Sequence, residues 1–140
     1  MSFETIWLKN CVIWNYSGKL SSNEVLASNN EVYSDPRFDT LKFEIVNLIP
    51  VTEMDLKPKD IKIVAALDRV ASLSNPGIKV AFIVENDELL ELVNLYRLNL
   101  KDCSWQTEIF SAIQDAADWL MLDNESKKFL EINSSNSSYS

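Results

Sequence analysis

The side chains that could make or break bonds are few in this sequence, and the commonest of them is missing: the chain holds no histidine. That removes the Ser-His-Asp and Cys-His arrangements, the usual proton shuttle near neutral pH and every histidine-bearing zinc site. The two cysteines, Cys11 and Cys103, stand far apart, so they form no Cys-x-x-Cys redox motif and cannot hold a metal by themselves. The two glycines, Gly18 and Gly77, are equally isolated. A phosphate-cradling loop needs several clustered glycines for backbone N–H groups to approach the anion, so nucleotide-binding fingerprints are excluded as well.

Carboxylates, one tyrosine–arginine pair and an aromatic cluster carry what chemistry is left. Glu85, Asn86, Asp87 and Glu88 fall where a strand runs into a helix, outside the carboxyl end of the strand, a place where α/β proteins bind ligands. Adjacent residues around a helix start do not converge on one point, and capping with dipole matching accounts for all four. Asp115 and Asp118 lie three apart on one helix, but Ile113, Ala116 and Leu120 define its buried side, which leaves the two acids on a solvated face. Tyr96 and Arg97 diverge by about 100° on a helix, so Tyr96 turns inward while Arg97 pairs with a surface carboxylate. No catalytic residue and no metal ligand is assigned. Carboxylate chemistry without histidine would require two acids converging in a dry cleft.

The elements that must position these groups follow from periodicity. Phe3 to Leu8 and Cys11 to Tyr16 read as a hairpin around the two-residue turn Lys9-Asn10. Alternation places Ile6, Leu8, Cys11 and Ile13 on one face and Phe3, Trp7, Val12, Trp14 and Tyr16 on the other, and Gly18 ends the second strand. Ser21 and Glu24 form a capping box for a helix that runs to Asn30 or Tyr33 before Ser34-Asp35-Pro36. A strand over Leu41–Leu48 stops at Pro50, and Pro58 opens a helix with Ile61, Val64, Leu67 and Ala71 as its inward stripe. After the turn Asn75-Pro76-Gly77 come a buried strand over Ile78–Val84, a helix capped by Asn86 with Leu89, Val93, Tyr96 and Leu100 facing in, and a strand over Trp105–Phe110. A second capping box at Ser111 and Gln114 opens a helix, and a short one over Glu125–Ile132 precedes a polar tail at residues 133–140 expected to be disordered. Alternating strands and helices from Leu41 onward predict an α/β fold with a mixed, mostly parallel sheet.

At 140 residues, with 46% hydrophobic and 24% charged residues, the chain is long enough for one domain, taken as residues 1–132. Its net charge of -8 disfavours phosphate backbones and anionic membranes, so neither a nucleic-acid partner nor stable membrane insertion is expected. Cytoplasmic residence with both thiols free is the expectation from the cysteine usage. The surplus of aromatics on one hairpin face, Trp7, Trp14 and Tyr16, leaves three roles open: core under the helices, a dimer surface, or the wall of an apolar cavity.

Lys79-Val80-Ala81-Phe82-Ile83-Val84, the helix with Leu95-Tyr96-Arg97, then Ile109-Phe110 and Asp115-Ala116-Ala117-Asp118-Trp119-Leu120 together resemble the C-terminal half of small bacterial SpoIIAA-like proteins, part of the STAS-like group. Upstream, Gly18 before a capped helix, Asp35-Pro36-Arg37-Phe38 before a strand and Asp60-Ile61 at a helix start fit the same order, so the likeness spans roughly residues 5 to 120. The resemblance implies a STAS-like α/β domain, a homodimer, no cofactor and no enzymatic activity, with some members similar to carriers of small nonpolar molecules. Trp7, Trp14, Tyr16 and Tyr96 are then the candidate ligand-binding residues. The alternative it carries is a protein-interaction or regulatory module related to anti-sigma factor antagonists. Signalling members are switched at a serine in an Asp-Ser-Ser-Gly-like stretch, and the matching Asn47-Leu48-Ile49-Pro50-Val51-Thr52 has neither serine nor glycine. A phosphoswitch of that kind is therefore not expected.

Overall fold

In the computed structural model, which describes residues 3–137, the turn at Lys9-Asn10 is closed by Asn10 at φ 58°, a value its short polar side chain tolerates. It joins β1 (Phe3–Leu8) to β2 (Cys11–Tyr16) as an antiparallel pair with Leu8 opposite Cys11 and Phe3 opposite Tyr16. From β2 the sheet grows in parallel through β4 (Phe43–Asn47), β6 (Lys79–Ile83) and β7 (Gln106–Phe110), giving the order β1-β2-β4-β6-β7. The mixed, mostly parallel α/β sheet is as the alternation of elements predicts.

The hairpin's alternation holds as well, and both of its faces are covered. Val12, Trp14 and Tyr16 pack under α1 (Ser22–Tyr33), α2 (Pro58–Ser74) and α3 (Asp87–Asn99). Cys11 and Ile13 pack on the opposite side with Ile45, Ala81 and the apolar residues of α4 (Ile113–Leu120) and α5 (Asn124–Ser137). Three helices, a sheet and two helices thus form successive layers, as a sheet with two apolar faces requires. No helix among the described residues is long and apolar enough to cross a membrane.

Local chemistry fixes the joints. Asn86 caps α3 through its side-chain oxygen, which accepts from the N–H groups of Glu88 at 2.8 Å and Leu89 at 3.1 Å. Asp60 reaches back to the Lys57 N–H at 2.9 Å where Pro58 opens α2. The Asn75 amide donates to the carbonyls of Phe38 at 2.8 Å and Leu41 at 2.7 Å, and the Trp105 indole donates to the Asn75 carbonyl at 2.7 Å. The turn before β6 is thereby tied to the segments before β4 and β7.

Several expectations need correction. Gly18 does not merely end a strand; it begins β3 (Gly18–Ser21), which pairs in parallel with β5 (Val51–Asp55) in a separate two-stranded sheet. Ser21 precedes α1 as expected, but its hydroxyl bonds the Glu24 carboxylate at 3.0 Å instead of capping backbone N–H groups. Ala112, not Ser111, stands at the start of α4, with no side-chain cap. On α2 the inward stripe takes Asp68 and leaves Leu67 exposed. Helix α5 runs to Ser137, so residues 133–137 continue it, and residues 138–140 lie outside the described residues.

Gly18 has φ +66°, and a Cβ built there meets nothing within 4 Å, so the glycine serves the left-handed backbone and not a tight contact. Gly77 has equal room and no positive φ. Gly18→Ala is therefore expected to lower stability by about 1–2 kcal/mol, whereas Gly77→Ala raises it by about 0.5 kcal/mol through the unfolded state. Urea unfolding midpoints of the two variants check the contrast.

Candidate functional site

Under α1, α2 and α3, at the carboxyl ends of β2, β4 and β6, the packing leaves a cavity of about 90 Å³. Tyr16 closes β2, Leu48 follows β4 and Leu89 opens α3 after β6, so the cavity occupies the position where parallel α/β sheets receive ligands. Trp14, Tyr16, Phe82 and Tyr96 give it aromatic walls. Only three polar residues other than the tyrosines and Trp14 line it: Asn29, Glu44 and Asp68.

Asp68 comes to the cavity because α2 buries the positions of Ile61, Val64, Ala65, Asp68, Ala71 and Ser72, a run at helical spacing. It is 4% exposed, and its two oxygens are taken by phenols from two other helices. Tyr33 of α1 donates to Oδ1 at 2.7 Å and Tyr96 of α3 donates to Oδ2. Asn29 adds a long contact of 3.5 Å to Oδ1. Burial pushes the Asp68 carboxyl up to about 6, with the Tyr96 and Tyr33 hydrogen bonds pulling the other way. Burial beside that carboxylate pushes both phenols well above the ordinary tyrosine range.

Glu44 enters from the sheet. On β4 it lies between Val12 of β2 and Val80 of β6, and shares the face of Val46. It is 2% exposed, and its Oε2 has no hydrogen-bond partner among the described residues. Burial first, and then the Asp68 charge, hold its carboxyl well above the usual range. Of the two acids, Asp68 has two phenol donors to offset its burial, whereas Glu44 has burial and the Asp68 charge against its ionisation and an unpartnered Oε2. Tyr16 closes the wall by donating to the Ser28 hydroxyl, whose own hydrogen goes to the Val25 carbonyl at 2.9 Å. The Trp14 indole donates to the Ser28 carbonyl at 3.2 Å.

Trp14, Tyr16 and Tyr96 are therefore brought together. Trp7 is not among the lining residues: it packs on the edge of the same core, with the Arg37 guanidinium 4.0 Å over its ring and Asp35 holding Arg37 at 2.8 Å. Glu85, Asn86, Asp87 and Glu88 are exposed at the start of α3, and Asp115 and Asp118 are exposed, Asp118 pairing with Lys127 at 3.1 Å. Arg97 bonds Thr107 and sits 3.7 Å from Glu108, the surface carboxylate its position implies. Both cysteines are free, and burial pushes the Cys11 thiol up to about 12, far from reactive. Glu44 and Asp68 are the polar residues that sequence reasoning missed. Asp68 occupies a position whose spacing continues the apolar stripe of α2, and that spacing was the available signal; Glu44 falls in alternation with Lys42 and Val46, opposed to Phe43 and Ile45.

Chemically, Asp68 has both oxygens engaged and is a poor free base, which leaves Glu44 as the cavity-lining carboxyl with an unpartnered oxygen. One such group binds and orients; it does not make an acid–base pair. No protein-family model matches the chain, and no curated protein matches it significantly.

The buried acids set a pH dependence of known sign. A carboxyl raised from 3.8 to about 6 on folding contributes stability that is complete below pH 3.8 and lost as pH rises through 6. Glu44 acts in the same direction, no histidine titrates in that window, and the lowered Asp35 and Asp123 act only at lower pH. The protein is expected to be more stable at pH 5 than at pH 8, by about 1–2 kcal/mol from Asp68 alone. Asp68→Asn should remove that share, as read from urea midpoints at the two pH values.

Proposed function

We propose that the chain is a STAS-like, non-catalytic binding module that holds a small nonpolar molecule in the cavity between its sheet and α1–α3. One observation carries the reading: Trp14, Tyr16 and Tyr96, from a strand and a distant helix, meet as walls of a single apolar space. The order of motifs that resembles SpoIIAA-like proteins supports it, as does the absence of a free acid–base pair at the site. A carrier or sensor needs enclosure and a little polarity for orientation, and this site offers both.

Val93 lines the cavity from α3, so Val93→Phe should fill it, at a cost of about 1–3 kcal/mol for overpacking. The wild-type protein taken from cells is expected to carry an apolar compound in native mass spectrometry that is released on denaturation, and Val93→Phe to carry none. Absence of any such adduct, together with no thermal shift under xenon or propane, would end the reading.

A second reading, an interaction module or homodimer, is favoured by α2 alone. Its outer face exposes Ile63 at 52%, Leu67 at 47%, Val70 at 63% and Leu73 at 83%, an apolar stripe along one helix. A second copy covers such a stripe by packing α2 antiparallel on α2, which keeps Lys59 and Lys62 of the two copies at opposite ends. Sedimentation should then give a dimer that Val70→Asp converts to monomer without loss of helical signal; a wild-type monomer at micromolar concentration counts against this reading.

A further inference from the structure

We infer that the cavity is built for a small apolar cation, a short-chain primary ammonium ion whose charged end meets Glu44. The inference rests on the cavity reading above and adds the charge and size of what enters. Its first support is the vacant Oε2 of Glu44 in a side chain 2% exposed at the cavity wall. Buried carboxyls are ordinarily paired, and one left unpartnered in a cavity wall marks where a donor is missing.

The second support is that the protein supplies no counter-charge. No lysine or arginine is among the residues that line the cavity. The groups that act electrostatically with Glu44 are Asp68 on α2, Tyr96 on α3, Tyr33 on α1, and Tyr16 and Cys11 on β2, none of which is a cation. The described ion pairs use other acids, Asp35, Glu108 and Asp118, at the surface. Any positive charge at Glu44 must therefore arrive with the ligand. The Asp68 carboxylate repels an anion, and the aromatic rings of Trp14, Phe82 and Tyr96 in the wall suit a cation.

Size narrows the class. A cavity of about 90 Å³ is smaller than the roughly 150 Å³ that admits benzene, which suits an aliphatic chain shorter than benzene's six heavy atoms, on the order of three carbons. On binding, the ammonium hydrogen-bonds the Glu44 carboxylate.

Isothermal titration of the wild-type protein at pH 8 with propylamine, 1-propanol and propanoate tests this, since the three differ in charge but little in shape. The amine is expected to bind about tenfold more tightly than the alcohol, as a charge-assisted hydrogen bond replaces a neutral one. The carboxylate should give no heat. Glu44→Gln, with folding checked by circular dichroism, should bring the amine down to the affinity of the alcohol and leave the alcohol unchanged. An alcohol that binds as well as the amine, or a preference that survives Glu44→Gln, overturns the charge assignment while the cavity reading stands. If neither amine nor alcohol binds, the cavity reading falls and this inference with it.

Discussion

One carboxyl group joins three helices. Asp68 of α2 receives the phenol of Tyr33 from α1 on one oxygen and the phenol of Tyr96 from α3 on the other, in a setting almost closed to water. Hydrogen bonds to a charged acceptor in low dielectric are stronger than neutral ones, and they are directional where apolar contacts are not. The layer of helices on that face of the sheet is therefore positioned by a polar hub inside an apolar core. Its cost is a carboxylate held out of water, visible in the raised pKa of Asp68 and in the still larger disfavour of ionising Glu44 beside it.

That hub also explains why the cavity is not filled. Side chains around the cavity are committed elsewhere: Tyr33 and Tyr96 aim their hydroxyls at Asp68, while Tyr16 aims its hydroxyl and Trp14 its indole N–H at Ser28. Aromatic rings fixed at their polar ends cannot rotate to fill space, so the gap between Phe82, Val93 and Glu44 persists. Packing density and polar satisfaction compete here, and polar satisfaction decides.

Much of the frame was legible in the residues. The hairpin, its turn at Asn10 and the two faces of β2 follow from alternation and hold residue by residue. The stripe Leu89, Val93, Tyr96 and Leu100 is buried as its spacing predicts. On α2 the geometric continuation of Ile61, Val64 and Ala65 is Asp68, but hydropathy points to Leu67; position, not polarity, decides which residue faces in. Glu44 was missed for a different reason: alternation sets it with Lys42, opposite Phe43 and Ile45, on a face that reads as polar until the helices are seen to cover it. Val51–Asp55 lacks apolar alternation, and only its pairing with Gly18–Ser21 makes it a strand. The candidate site was half legible: its aromatics could be named, whereas its acids required the fold.

The order of the sheet distributes the entropy of folding unevenly. Strands β1 and β2 meet across a two-residue turn, a step that chains of this kind complete in about microseconds. Every other ladder in the large sheet joins strands about thirty residues apart, and each must close its loop before its contacts reward it. Because β2 is apolar on both faces, the early hairpin stays sticky on each side until α1–α3 and α4–α5 arrive. Its first sixteen residues are thus the segment that a nascent chain emerging from a ribosome must keep from foreign partners longest.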